Sequence, residues 1–268
     1  MPSSKAGAGR ARLAFGAREL ATDFSRGTSL AIEQRFGTAQ LRCFGAPPAR
    51  SAPLVVGSFN GSVARGASCN CSTFTLTPHC NGTHTECVGH LTRQALDVID
   101  VMPRAPVLAL LVSVQPQPDA ATGDALVTAA ALRRAWRGEL DPAALVIRTL
   151  PNDADKRTRD YDHHPAPYLA ADAARFVVER DIEHLVLDLP SADRAEDSGL
   201  LTAHRLFFGL PPGSTALADS RRAHCTLTEL AFVDDRLADG WYLLSLQCPA
   251  LGGDAVPSRP VLYPVLDA

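Results

Sequence analysis

Residues 79–90 read His-Cys-Asn-Gly-Thr-His-Thr-Glu-Cys-Val-Gly-His, so three of the chain's eight histidines fall in one short stretch. With Glu86, Cys80 and Cys87 the stretch holds most of the side-chain types that bind a borderline divalent metal. His84 and Glu86 are two apart, and an extended backbone would point both to the same side. Gly82 and Gly89 let the chain turn tightly before His84 and His90. A divalent ion held by histidine and carboxylate groups lowers the pKa of bound water toward neutrality and polarises a carbonyl oxygen. The plain alternative is a polar loop of hydrogen-bonded histidines.

Such a cluster needs a scaffold, and the chain is long enough for one. At 268 residues it fits one large α/β domain with a substantial core. A hydrophobic content of 46% and charged content of 21% belong to an ordinary soluble globular protein. The net charge of −3 and the absence of a basic run argue against nucleic acid and anionic membrane as partners. The longest apolar run, Val107 to Val112, is too short to span a bilayer. Seven cysteines make an odd count in a chain too large to need stapling, which fits free thiols in a reducing cytoplasm. Residues 1–19 lack a continuous apolar stretch and read as a loose lead-in, with one domain over 20–268.

Ser72 to Thr77 alternates as a half-buried strand would, leading into the histidine stretch. Val107 to Val114 is a continuous apolar run suited to the centre of a sheet. Further strands are expected at Asp124–Thr128, Ala144–Leu150 and Leu185–Leu189, with a helix over Ala129–Arg137. Tyr168–Arg180 is the clearest helix, burying Leu169, Ala173, Phe176 and Val177. Asp197 or Ser198 can cap a helix from Leu200 to Phe208 that Gly209 ends, with His204 on the face of Leu200. Pro151–Pro167 reads as a polar loop, its His163-His164 pair solvated. Thr226–Val233 and Trp241–Gln247 read as strands, and Asp239-Gly240 between them suits a tight turn. Glu229 lies in a segment otherwise fit for burial, so it needs a cation, a donor or a metal.

The stretch Asn81-Gly-Thr-His-Thr-Glu-Cys-Val-Gly-His90 resembles the signature of the metal-dependent cyclase family, whose best-known members are bacterial kynurenine formamidases. Gly82, Thr83, His84, Glu86 and His90 match it in place, and Asp188–Asp193, His204 and Glu229 follow in the family's order. The resemblance implies a swivelling β/β/α fold, an α/β single domain with a mixed sheet and flanking helices, assembled as a homo-oligomer. It also implies one or two divalent ions, zinc ahead of manganese, held by His79, His84, Glu86, His204 and Glu229, with Glu86 bridging. His90 becomes the acid/base residue. Three departures stand out. The acid is Glu86 where the family mostly has Asp. The family's first histidine falls at Cys80, leaving either His79, through a one-residue bulge, or Cys80 as the ligand. Cys87-Val88 replaces an Ala-Pro pair, which would reshape the mouth beside His90.

The expected activity is hydrolysis of a small amide-like bond, with the aryl-formamide of N-formylkynurenine as the leading substrate. A histidine titrating near neutrality could take a proton from water and return it to the leaving amine. Two rivals remain: a cyclase, dehydratase, or lactam or ester hydrolase acting on a small metabolite, and a non-catalytic protein holding structural zinc on Cys69, Cys71, Cys80 and Cys87. The one-residue gap between Cys69 and Cys71 is short for paired zinc cysteines.

Overall fold

The apolar runs of the sequence become neighbours in one nine-stranded mixed sheet. The structure is a computed structural model that describes residues 9–15, 18–138 and 140–266. In chain order the strands are β1 (Thr28–Ser29), β2 (His84–Glu86), β3 (Val107–Val114), β4 (Ala144–Thr149), β5 (His184–Leu187), β6 (Thr226–Glu229), β7 (Gly240–Gln247), β8 (Ala255–Pro257) and β9 (Arg259–Pro264). Across the sheet they run β8-β2-β6-β5-β4-β3-β7-β9-β1. The four central strands β3, β4, β5 and β6 are parallel. Both margins are antiparallel: β2 on β6 and β8 on one side, β7 on β3 and β9 on the other.

Alternation along the strands divides the core. Leu110, Val112, Leu145, Ile147, Leu185, Leu187 and Leu227 line one face, which the helices cover. Ala109, Leu111, Ala144, Val146 and Val186 line the other, with Tyr242, Leu244 and Leu262. Because both faces are covered, β4 and β5 are buried at every position, and such strands read as unbroken apolar runs. The helices needed for the site are α1 (Pro78–Asn81), α2 (Ala129–Ala135), α3 (Ala171–Glu179) and α4 (Thr202–Phe207). From α3 come Ala173, Phe176 and Val177, and from α4 Ala203 and Phe207, all in the helix-side core.

Several expectations change in the structure. Within the expected loose lead-in Arg10–Phe15 pairs antiparallel with Arg18–Asp23; residues 1–8, 16 and 17 lie outside the described residues. Ala11, Leu13 and Phe15 alternate inward, and Leu13, Phe15 and Leu20 pack by Leu108 and Leu243. Ser72–Thr75 is a strand but exposed throughout, paired with Arg50–Pro53 away from the main sheet. The helix expected from Tyr168 begins at Ala171, because Tyr168 and Leu169 pair with Leu126 and Val127 as a strand. Thr226–Val233 ends as a strand at Glu229, since Leu230 takes a left-handed φ of 52° and its N–H turns to Leu189 O. That strand and β7 are not neighbours: β5, β4 and β3 lie between them. Asp239 instead accepts hydrogen bonds from the Ser113 backbone and hydroxyl and from Arg148.

The loop after β5 is anchored by a buried ion pair. Lys156 Nζ lies 2.8 Å from Asp188 Oδ2 and 2.7 Å from Thr149 O. Asp188 also accepts from Thr149 N at 2.8 Å and Thr149 Oγ1 at 3.0 Å. Burial pushes Asp188 above its ordinary pKa in spite of these partners. Removing the ammonium leaves a carboxylate without a counter-charge, which in buried pairs costs about 3–5 kcal/mol. Lys156→Met is therefore expected to lower the midpoint of thermal or urea unfolding sharply, and Lys156→Met/Asp188→Leu to recover most of the loss. Equal midpoints for the single variant and the parent would show that the pair anchors nothing.

Candidate metal centre

The helix-side face of the sheet is apolar along β6 as far as Leu227 and then changes character. Two residues on, Glu229 occupies the same face, opposite His84 of β2, while Leu227 lies opposite Glu86. His84, Glu86 and Glu229 therefore extend a core surface with charged groups, and all three are buried. Thr85 and Thr228 take the opposite face, where their hydroxyls meet at 2.7 Å. Thr83 fixes the strand entry, its hydroxyl donating to Leu230 O and accepting from Ile32 N. Gly82, at φ 156°, makes the turn from α1 into β2.

His204 reaches the cluster from α4. Asp193 accepts from the backbone N–H groups of Ala203 and His204 at 2.6 and 3.0 Å, and so caps a helix start whose donors would otherwise be unpaired. The same carboxylate lies 2.6 Å from His204 Nδ1. That bond holds a ring proton on Nδ1 and turns Nε2 toward Glu86 and Glu229. His84 is set the same way, its Nδ1 donating to Gly82 O at 3.0 Å. The expected start at Leu200 is displaced: the helix begins at Thr202, and Leu200 is 65% exposed rather than sharing His204's buried face.

His79, at the edge of α1, completes the inner group from outside. Its Nε2 is 3.5 Å from Glu86 Oε2 and 3.1 Å from Asp254 Oδ2. His90, on the turn 88–91, directs Nδ1 to the same Asp254 oxygen at 3.2 Å. His79 and His90 thus lie side by side, their ring centroids 4.4 Å apart. The inner residues are sealed, whereas the side chains of His90 and Asp254 are 31% and 40% exposed, so the cluster opens to solvent on that side.

The spacing of these groups suits a cation. Nε2 of His79, Nε2 of His84 and both oxygens of Glu86 are buried without a hydrogen-bonding partner. The separations are His84 Nε2 to Glu229 Oε2, 3.6 Å; His204 Nε2 to Glu229 Oε1, 3.5 Å; and His204 Nε2 to Glu86 Oε1, 3.0 Å. Ligand atoms about 2.0–2.2 Å from one ion lie about 3.3–3.6 Å apart in a tetrahedron and about 2.8–3.1 Å apart in an octahedron. The atoms therefore sit at the edge lengths of a coordination shell. Two ligand groups, His84-Glu86-Glu229 and His79-His90-Asp254, each lie within 4.8 Å. Nitrogen and oxygen donors of this kind fit a borderline divalent ion.

In the absence of an ion the charges are balanced by protons. Burial raises Glu86, but the facing histidines, His204 foremost, outweigh it and bring the carboxyl down to about 2. Burial opposes a charge on His84 and His204, yet the carboxylates prevail. Glu229 and Glu86 hold His84 above its ordinary value, and Glu86 and Asp193 hold His204 well above it. The neighbouring imidazoles of His79 and His90 keep Asp254 well below the usual carboxylate range.

The five expected ligands His79, His84, Glu86, His204 and Glu229 are thus brought together, with His90 beside them. Cys80 is not: it packs with Leu41, Cys43, Tyr161 and Leu230, and Cys43 Sγ donates to its carbonyl at 3.3 Å. The four cysteines of the structural-zinc alternative form no ligand group among the described residues. Cys87 and Val88 are fully buried, so they do not line the mouth; Cys87 donates to Leu96 O, and burial pushes its thiol up to about 12. His163 and His164 stay on an exposed loop. Asp193 and Asp254 were not expected as partners. Asp193 is marked in the sequence by the Asp188–Asp193 stretch that follows the family's order, without a role attached, and Asp254 by nothing beyond two preceding glycines.

A family model described as "Putative cyclase" matches residues 20–194. No curated protein matches the sequence significantly. Among solved structures, the chain is similar to a predicted metal-dependent hydrolase from Bacillus stearothermophilus, at 16% identity and a TM-score of 0.58, covering 89% of this chain and 98% of that one. It is similar to an isatin hydrolase bound to the product analogue thioisatinate, at 18% identity and a TM-score of 0.61, covering 90% and 93%. Isatin hydrolase A from Ralstonia solanacearum aligns at 15% identity and a TM-score of 0.58, covering 89% and 91%. At these identities the likeness establishes the shared fold.

These shifts predict a pH signature for the protein stripped of metal. Glu86 is depressed from 4.5 to about 2, so its contribution is present above 4.5 and lost as pH falls toward 2. His84 and His204 are raised above 6.5, so theirs is present below 6.5 and lost as pH climbs through the raised values. Thermal unfolding in chelator from about pH 3 to 9 is expected to show the cluster's stabilisation greatest between 4.5 and 6.5. Saturating zinc should flatten the alkaline fall, because a divalent ion replaces the imidazolium charge. A chelated protein that grows more stable above pH 6.5, against variants lacking His84 and His204, would contradict this balance.

Proposed function

The chain belongs to the cyclase family, and from that premise we propose that it is a metal-dependent hydrolase of a small amide-like bond. One observation carries the proposal: a largely buried cluster of carboxylates and neutral-capable imidazoles in which Nε2 of His79, Nε2 of His84 and both oxygens of Glu86 lack hydrogen bonds and the facing atoms stand at coordination-shell spacing. His79, His84, Glu86, His204 and Glu229 would hold the ion, zinc ahead of manganese. Such an ion lowers the pKa of water and polarises a carbonyl.

The protein's own groups supply the rest. Asp193 and Gly82 O fix two imidazoles with Nε2 inward, so the donor set is arranged before any ligand arrives. His90 stands at the open side, Nδ1 tied to Asp254, which leaves Nε2 to handle protons. It takes one proton from the attacking water and returns it to the leaving nitrogen, so that water and amide become acid and amine. The partly exposed side at His90 and Asp254 admits a small molecule, while the buried interior limits competing water.

An N-aryl amide is the substrate class we favour, because an aromatic amine leaves readily. Within it the aryl-formamide of N-formylkynurenine is one choice. The fold shared with isatin hydrolases favours a second, the cyclic N-aryl amide of an isatin-like lactam. No nucleotide-binding glycine motif is present in the sequence, and hydrolysis needs no further cofactor.

Metal-loaded protein is expected to turn over at least one of N-formylkynurenine and isatin, with product mass equal to substrate plus water. His90→Ala should keep its metal and lose about 100-fold or more in rate, the usual scale for acid/base catalysis. A product that has lost water would replace hydrolysis with dehydrative cyclisation. Metal-loaded protein inert on formamides, lactams and esters alike would remove the hydrolase reading.

A further inference from the structure

We propose that Asp254 is itself a ligand of the bound cation, at an outer position beside His79. The inference rests on the metal-centre reading and extends the donor set to a residue outside the signature stretch. Asp254 Oδ2 stands 3.1 Å from His79 Nε2, which in turn stands 3.5 Å from Glu86 Oε2. These are again shell-edge separations. His79 Nε2 is buried and makes no hydrogen bond in spite of two carboxylate oxygens within 3.5 Å. A histidine placed only to pair with Asp254 would direct an N–H at it, as His90 does through Nδ1. The His79 nitrogen and the Asp254 oxygen instead sit as neighbours facing a common third party, and Oε2 of buried Glu86, 3.5 Å from the same nitrogen, is likewise unpartnered.

The backbone holds Asp254 in this place. Its carbonyl accepts from Cys87 N at 3.0 Å, directly after Glu86, and Ala255 pairs with Glu86 across β8 and β2. Gly253, at φ 144°, donates to Asp97 Oδ1 at 2.8 Å and accepts from Val98 N at 2.8 Å. Gly89 lets the His90 turn come close: a Cβ there would lie 3.2 Å from the Cβ of Asp254 and 2.5 Å from Leu96 O. The shift of the histidine from position 80 to 79 fits this arrangement. It gives His79 the reach to both Glu86 and Asp254, while Cys80 is buried beside Cys43 and Tyr161. The cation would then meet carboxylates from two neighbouring strands and from the turn before a third, with Asp254 on the solvent side where substrate arrives.

Two measurements test the ligand role apart from activity. In chelator competition, near-isosteric Asp254→Asn is expected to weaken zinc binding by more than about 100-fold, beyond the roughly 10–100-fold cost of losing a carboxylate that only orients a ligand. Asp254→Cys loaded with cobalt should gain a sulfur-to-cobalt charge-transfer band in the near ultraviolet that the cobalt-loaded parent lacks. A loss below 100-fold without the new band would overturn the assignment and leave the inner centre standing. If the parent binds neither zinc nor cobalt, the metal centre itself fails, and the role of Asp254 with it.

Discussion

Two carboxylates, Glu86 and Glu229, are buried on adjacent strands of one sheet face, and the surrounding architecture answers the charge they bring inside. Unpaired buried charge is costly, and two like charges cost more than one. The helix-side core around β2 and β6 is apolar up to Leu227, so solvent cannot screen them. His84 comes from the same strand as Glu86, and His204 is lowered from α4 onto both acids. Protons on these imidazoles balance the pocket without an ion; a divalent cation balances it with both imidazoles neutral.

The supporting residues follow from that demand. Asp193 caps α4 and fixes the His204 tautomer with one carboxylate, which links the helix start to the direction in which Nε2 points. Ala192 N donates to Glu229 Oε1 at 2.6 Å, so the same loop also orients the second acid. The buried Asp188 and Lys156 anchor that loop to the end of β4 through Thr149. The positioning of two site groups, His204 and Glu229, thus depends on a short segment after β5, a strand-end location typical of sites in α/β folds.

Much of this was legible in the sequence, for reasons specific to each element. Val107–Val114 and Ala144–Thr149 read as central strands because both their faces are buried, leaving continuous apolar runs. The two-residue spacing of His84 and Glu86 was decisive only if the segment were extended, and it is. Glu229 stood out as an acid in a segment fit for burial. The misreadings share a cause: tertiary partners overrode local pattern. The chain leaves the ladder at Leu230 because Leu189 O takes the Leu230 N–H and Leu187 O that of Ala231. The cap of α4 comes from Asp193, across a loop, rather than from the nearer Asp197, which binds the N–H groups of Gly199 and Leu201. Asp254 reaches the site only through its strand pairing, which no local spacing encodes.

The most direct test of the metal-centred account is calorimetric titration of chelator-treated protein with zinc, run in two buffers of different ionisation enthalpy. The account predicts tight binding accompanied by proton release, because the raised imidazoles of His84 and His204 must lose protons as the ion enters. In Glu86→Ala/Glu229→Gln both the binding and the buffer dependence should be lost. Zinc binding of undiminished affinity in that double variant, or no binding by the parent, would contradict the account.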